Sequence, residues 1–140
     1  MIAALALSGC TARQEPAPSQ TSAAPAPTVS ESATPEAAPT LLPDGTAGQN
    51  LPYFTAVAEQ TYDSGVGTNG RAFIDALVAA GFDKATMQVT PDQTGIGDPV
   101  ETLQFSVRWK DGCLIGQVGS AIGELVTSVA PVVDGDACLI

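Results

Sequence analysis

The sequence predicts an α+β domain in which two N-terminal helices pack on one face of an antiparallel sheet of about four strands, preceded by a disordered linker. Three observations predict this fold: segments with helical spacing of apolar residues come first, segments with strand-like alternation follow, and a stretch rich in Ala, Pro, Ser and Thr precedes both. We therefore divide the chain into a signal-peptide remnant (1–9), a linker (10–40) and one small domain (41–140).

The first predicted helix begins at Asn50. Asparagine is a good N-cap residue, and Pro52 would lie in the first turn, where its missing N–H costs little. Phe54 and Ala58 continue at helical spacing, and the glycine-containing residues 63–67 end the helix.

The second predicted helix begins at Thr68 or Asn69. Phe73 and Leu77 lie along one face of it, and Gly81 is suited to its C-terminal cap. Because each helix is apolar on one face only, we expect both to pack against a sheet.

Strict alternation over residues 102–109 predicts the clearest strand, with Leu103, Phe105, Val107 and Trp109 on its apolar face. Lys110-Asp111-Gly112 is typical of a hairpin turn, and residues 113–118 form the returning strand. Two further strands are predicted over residues 85–90 and 125–133, and the proline at position 131 indicates an edge strand or a strand end.

Residues 7–10, Leu-Ser-Gly-Cys, follow a short apolar run and resemble the lipobox of bacterial lipoproteins. The resemblance implies a diacylglyceryl group on the sulfur of Cys10 and removal of the preceding peptide. A secretory signal normally begins with basic residues, whereas the first basic residue here, Arg13, follows the cysteine. We therefore expect the true start codon to lie upstream. The alternative interpretation is a cytosolic protein with an apolar N-terminal tail.

The linker from Cys10 to Thr40 contains six prolines and almost no bulky apolar side chain. Such a segment buries too little surface to offset the entropy of ordering it, so we expect it to stay disordered. Proline stiffens it toward an extended conformation, which suits a spacer between a membrane and a domain.

The three cysteines divide into Cys10 at the lipobox and a pair in the domain, Cys113 and Cys138. An exported protein reaches compartments where disulfides persist, so we expect this pair to be bridged. Two free buried thiols are the alternative. We predict no metal site and no cofactor, because two cysteines without any histidine do not complete a typical zinc shell.

Charge and composition exclude several function classes. The net charge of −10 disfavours nucleic acid and anionic lipid headgroups. The absence of histidine removes the commonest general base and the usual serine and cysteine nucleophile schemes. A hydrolase that uses carboxylates is the remaining enzymatic alternative, with the closest acidic groupings at Asp134/Asp136 and Asp92/Asp98. The same residues are typical of loops and turns, and we predict a non-enzymatic protein.

The polar face of the predicted sheet is the candidate binding surface. If the helices cover one face, the other presents mostly uncharged side chains that hydrogen-bond peptide backbone or glycans. An ordinary solvated sheet face would look the same. The candidate residues are Gln88, Thr90, Gln104, Ser106, Arg108 and Gln117.

Five segments together resemble a family of small actinobacterial cell-surface lipoproteins whose shared domain has no assigned function. The segments are residues 70–77, 81–83, 87–90, 104–108 and 113–117, with Cys138-Leu139 near the end. The resemblance implies export, a lipid anchor on the outer face of the cytoplasmic membrane and a Cys113–Cys138 pair. It implies no catalytic residue. We therefore predict a binding or interaction module of the cell envelope, with the membrane as one partner and an envelope protein or glycan as another.

Overall fold

The structure, a computed structural model, describes residues 37–110 and 112–140. The predicted signal remnant, Cys10 and most of the predicted linker lie outside these residues. In chain order the described elements are α1 (Ala47–Asp63), α2 (Gly70–Ala79), β1 (Met87–Val89), β2 (Leu103–Trp109), β3 (Gly112–Val118) and β4 (Val126–Pro131).

The four strands form one sheet in the order β1-β2-β3-β4, and each neighbouring pair is antiparallel. Helix α2 packs on β1 and β2, whereas α1 packs on β3 and β4. Both helices therefore cover the same face of the sheet, which confirms the predicted α+β class.

Helix α1 begins four residues earlier than a cap at Asn50 would place it, so the assignment of Asn50 as its N-cap was wrong. Thr46 caps the helix: its hydroxyl accepts from the Gln49 N–H, while the Gln49 side chain accepts from the Thr46 N–H. This reciprocal capping box satisfies two N–H groups that would otherwise lack partners. Asn50 lies in the first turn, fully buried, where its side chain bonds both backbone groups of Leu42.

Helix α2 begins where the sequence predicts. Asn69 is its N-cap, and the Asn69 side chain accepts a hydrogen bond from the Ala72 N–H. At its other end Gly81 has a φ of 98°, and Phe82 donates its N–H back to Leu77. The Gly81 N–H also donates to the Val78 carbonyl, and these two hydrogen bonds form a Schellman motif. The motif requires a left-handed backbone conformation at Gly81.

The first strand is shorter than predicted. Residues 85 and 86 belong to a short 3₁₀ helix, Lys84–Thr86, in which the Asp83 side chain accepts from the Ala85 N–H. Strand β1 therefore begins only at Met87. Strand β4 also ends early, at Pro131, because proline has no N–H with which to continue the ladder.

The core lies between the helices and the sheet and centres on Phe105 of β2. Its ring stacks on Phe73 of α2 at 4.4 Å between centroids and contacts Phe54 of α1 at 5.8 Å. All three side chains are fully buried. Trp109, which the sequence places on the apolar face of β2, is partly buried at the margin of this core, and its indole N–H donates to the Gly45 carbonyl.

No helix among the described residues is long and apolar enough to cross a membrane.

Candidate functional site: the second face of the sheet

The strand register brings five of the six predicted binding residues to one face of the sheet, opposite the helices, and the sixth, Thr90, follows directly after β1. Gln88 pairs with Ser106 between β1 and β2, and Gln104 pairs with Gln117 between β2 and β3. At the end of β1, Thr90 exchanges backbone and hydroxyl hydrogen bonds with Gln104.

The C-terminal segment crosses this face, and a disulfide fastens it there. Cys113 at the start of β3 is bonded to Cys138, with a Cα–Cα distance of 5.6 Å that suits an unstrained bridge. The amide oxygen of Gln88 accepts from the backbone N–H of Cys138 at 2.5 Å and of Leu139 at 3.1 Å. The disulfide that we expected is therefore present, and the alternative of two free thiols is not.

The C-terminal segment divides the candidate face into a covered half and an open half. Gln88 is bonded to the segment, and Arg108 pairs with Asp136 at 3.4 Å. Ser106, next to Gln88 in the register, is fully buried. Thr90, Gln104 and Gln117 remain partly exposed. The open half continues onto β4 through Val126 and Ser128, which face the same way.

The Ser106 hydroxyl is buried without a hydrogen-bond partner among the described residues. Leaving a buried polar group unsatisfied costs about 1–3 kcal/mol. We infer that the end of the chain closes over this hydroxyl, because its strand neighbour Gln88 bonds Cys138 and Leu139 directly above the β1–β2 pair.

Replacing Ser106 by alanine is expected to raise the free energy of unfolding by about 1 kcal/mol, since it removes an unsatisfied buried hydroxyl without removing a bond. Chemical denaturation measures this change. The matched control is Ser128→Ala on the same face, where the serine is exposed and the effect should stay within about 0.5 kcal/mol. A destabilised Ser106→Ala variant would show that the hydroxyl has a partner in solution.

Charge is nearly absent from the open half. The one cation of the candidate set, Arg108, is held by Asp136 in the covered half. What remains to contact a ligand is a group of amides and hydroxyls, which donate and accept hydrogen bonds without selecting for charge.

The acidic groupings that sequence analysis singled out lie in turns. The backbone of Asp92 accepts from the Val100 N–H, and that of Asp98 accepts from the Thr94 N–H. Asp136 belongs to the C-terminal turn closed by the Val133–Ala137 bridge. Within residues 37–110 and 112–140, no three metal-ligating side chains come together.

A groove of about 680 Å³ between the outer surfaces of α1 and α2 was not predicted. Small side chains such as Ala56, Ala72 and Ala76 leave it open, and Ala38 and Pro39 line it where the chain enters the domain. The alanines of both helices were visible in the sequence, but their helical positions also fit an ordinary packed surface. None of the described residues that line this groove carries a carboxylate.

These observations define a small α+β domain whose C-terminal segment is tied by a disulfide across an antiparallel sheet. Residues 58–140 match the family described as "Domain of unknown function (DUF6993)". The match covers more than half of the chain, so the chain belongs to this family. It begins within α1 and includes the whole sheet and both disulfide cysteines. No curated protein and no solved structure matches the chain.

Proposed function

We propose that this chain is an exported lipoprotein, anchored through Cys10 to the outer face of the cytoplasmic membrane, whose folded domain is a non-enzymatic interaction module of the cell envelope. The Cys113–Cys138 disulfide is the observation that carries the proposal. Disulfides persist in exported proteins and are rare in the reducing cytosol. The bridge therefore supports the export that the lipobox-like residues 7–10 imply.

The open half of the polar sheet face is the surface we assign to ligand binding. Gln104 and Gln117 are directly paired across β2 and β3, so their amides form an adjacent pair of donors and acceptors. This arrangement suits peptide backbone or the hydroxyls of a glycan, both of which offer neutral hydrogen-bonding groups. The negative charge of the chain makes nucleic acid an unfavourable partner.

The distribution of carboxylates favours a binding module over a hydrolase. An enzyme of that kind needs two carboxyl groups that converge on one cleft. Asp136 instead faces Arg108, and the backbone groups of Asp92 and Asp98 close turns in a separate loop. In the part of the chain that the structure describes, the residues lining the groove between the helices are uncharged.

Replacing Cys10 by serine is expected to move the protein from the membrane fraction to the soluble fraction, because it removes the sulfur that would carry the lipid. The variant is expressed with a complete signal peptide and followed by fractionation and immunoblotting. The neighbouring variant Thr11→Ala serves as the control and should stay with the membrane. Membrane retention of Cys10→Ser would contradict the lipoprotein assignment.

The released Cys10→Ser protein also provides the bait for a binding experiment. Immobilised on beads, it should retain a protein or glycan from a detergent extract of the envelope. The double change Gln104→Ala/Gln117→Ala should lose that ligand, whereas Gln60→Ala, an exposed glutamine on α1, should keep it. Equal retention by all three baits would mean that the polar face is not the binding surface.

A further inference from the structure

The two edges of the sheet differ in how well they are protected. At one edge, β1 has only three residues and is followed closely by Pro91. At the other, β4 runs for six residues and pairs with β3 in an uninterrupted register from Val126 to Pro131. Natural sheets usually protect an edge by keeping it short, charged, bulged or covered. Strand β1 follows this rule, whereas β4 is protected only at its last residue, where Pro131 has no N–H to offer a partner strand.

Nothing within the described residues covers the outer edge of β4. Its backbone makes no described hydrogen bond except to β3, and the strand contains no charged residue. Val126 is 49% exposed on the polar face, and Val129 is 43% exposed on the helix side. An uncharged edge with exposed apolar side chains on both faces is suited to pairing with another strand.

A shallow cavity of about 420 Å³ adjoins this edge on the helix side. One wall is the start of α1 at residues 46–48, and the other is the end of β4 at residues 129–131. Ala47 closes the floor, because it lies directly over Gly112. Alternate side chains of an added strand point to the helix side, so the cavity has room for one of them.

Charge distinguishes between the possible occupants of the edge. Glu124 precedes β4 and Asp134 follows it, and both are exposed. In a two-fold symmetric, antiparallel β4–β4 dimer, Glu124 of one copy would lie near Asp134 of the other, and this repulsion would occur twice. A strand with basic residues at both ends would instead meet a carboxylate at each end.

We propose that β4 binds an extended segment of another protein by strand addition, and that this segment is β-branched in its middle and carries Lys or Arg at both ends. Backbone hydrogen bonds to the free edge give the affinity, and the flanking carboxylates together with the cavity beside α1 select the sequence. The inference rests on the proposed function in taking the domain as an interaction module, but it uses the backbone edge of β4 and not the side chains of Gln104 and Gln117.

The test uses the full chain carrying Cys10→Ser and three synthetic peptides. The first is Lys-Val-Thr-Val-Thr-Val-Lys, the second has Glu in place of both Lys residues, and the third is the first with alternate backbone nitrogens methylated. Titration calorimetry at low salt gives Kd, and hydrogen exchange read by mass spectrometry reports protection over residues 126–131. We expect the first peptide to bind and to protect β4, the second to bind about tenfold more weakly, and the third not to bind.

Two variants locate the site. Val129→Lys should weaken binding of the first peptide by about tenfold, because it places a cation in the cavity beside α1, at the edge that the peptide would occupy. Val89→Lys, which changes a valine of similar exposure on the opposite edge strand, should leave Kd unchanged. Circular dichroism of both variants verifies that they fold.

Several results would overturn the inference: no protection of residues 126–131 by any peptide, equal binding of the Lys and Glu peptides, or an equal effect of the two valine variants. The inference would also be overturned if the β4 amides were already protected from hydrogen exchange in the absence of peptide, because the chain would then cover its own edge. If the chain sediments as a dimer and the Val129→Lys variant sediments as a monomer, the partner at the β4 edge is a second copy of this chain. The β4 edge could bind none of the peptides while Gln104→Ala/Gln117→Ala still abolishes retention of the envelope ligand on the beads. In that case the proposed function stands and only the strand-addition inference is lost.

Discussion

Loss of the Cys113–Cys138 disulfide is expected to lower the melting temperature by roughly 12–24 °C. The bridge closes a loop with a sequence separation of 25. In the chain-entropy model such a loop contributes about 3 kcal/mol, and each kcal/mol corresponds to about 4–8 °C in a domain of this size. Alanine is the better replacement, because a serine hydroxyl would be buried at both positions and add a cost of its own.

The two single variants and the double variant form a decisive set, measured by calorimetry without reductant. Cys113→Ala and Cys138→Ala remove the same bond, so each should lose a similar amount, and the double variant should lose no more than either single one. The unreduced protein from the envelope should show no free thiol at these positions by mass spectrometry. Additive losses, or two free thiols, would contradict a structural bridge.

Gly116→Ala is expected to destabilise the domain by about 2–3 kcal/mol, because it overpacks the core. A methyl group at this position would lie 2.2 Å from the Phe105 ring. The ring covers Gly116 as its cross-strand partner. It cannot move away, because Phe73 stacks on it and Phe54 packs beside it.

A size compensation tests this explanation. In the Gly116→Ala background, Phe105→Leu should cost less than it does alone, because the smaller side chain relieves the collision. The control is Gly48→Ala on α1, where the nearest atom to the added methyl group is 3.8 Å away and alanine favours the helix. Urea denaturation measures all four variants. Strict additivity of Gly116→Ala and Phe105→Leu would show that the collision is not the cause.

The sequence predicted those features of the fold that depend on local periodicity. The alternation of apolar and polar residues at 102–109 identified β2 and its two faces, because successive side chains in a strand point to opposite sides. The same rule placed the five candidate binding residues that lie within strands on one face. The start of α1 was missed because Thr46 and Gln49 cap each other, which outweighed the preference of Asn50 for a cap position.

The division of the candidate site depended on contacts that local patterns do not encode. Gln88 and Cys138 are 50 residues apart, and nothing in the sequence around either indicates that they meet. The disulfide could be expected because only two cysteines remain in the domain. The sequence did not indicate that the disulfide would hold the C-terminal segment across Ser106 and Arg108. Pro131 indicated an edge strand or a strand end, but only the strand order shows that β4 forms the outer edge of the sheet.

The chain enters the domain on the side opposite to the polar face of the sheet. Ala38 and Pro39 line the groove between the two helices, whereas the polar face lies on the far side of the sheet, next to the C-terminus. A dye or solid support attached at Ala38 or Pro39 would therefore lie on the helix side of the domain, away from the polar face. A purification tag placed after Ile140 would crowd the same face, so binding assays on this protein call for attachment at the other end.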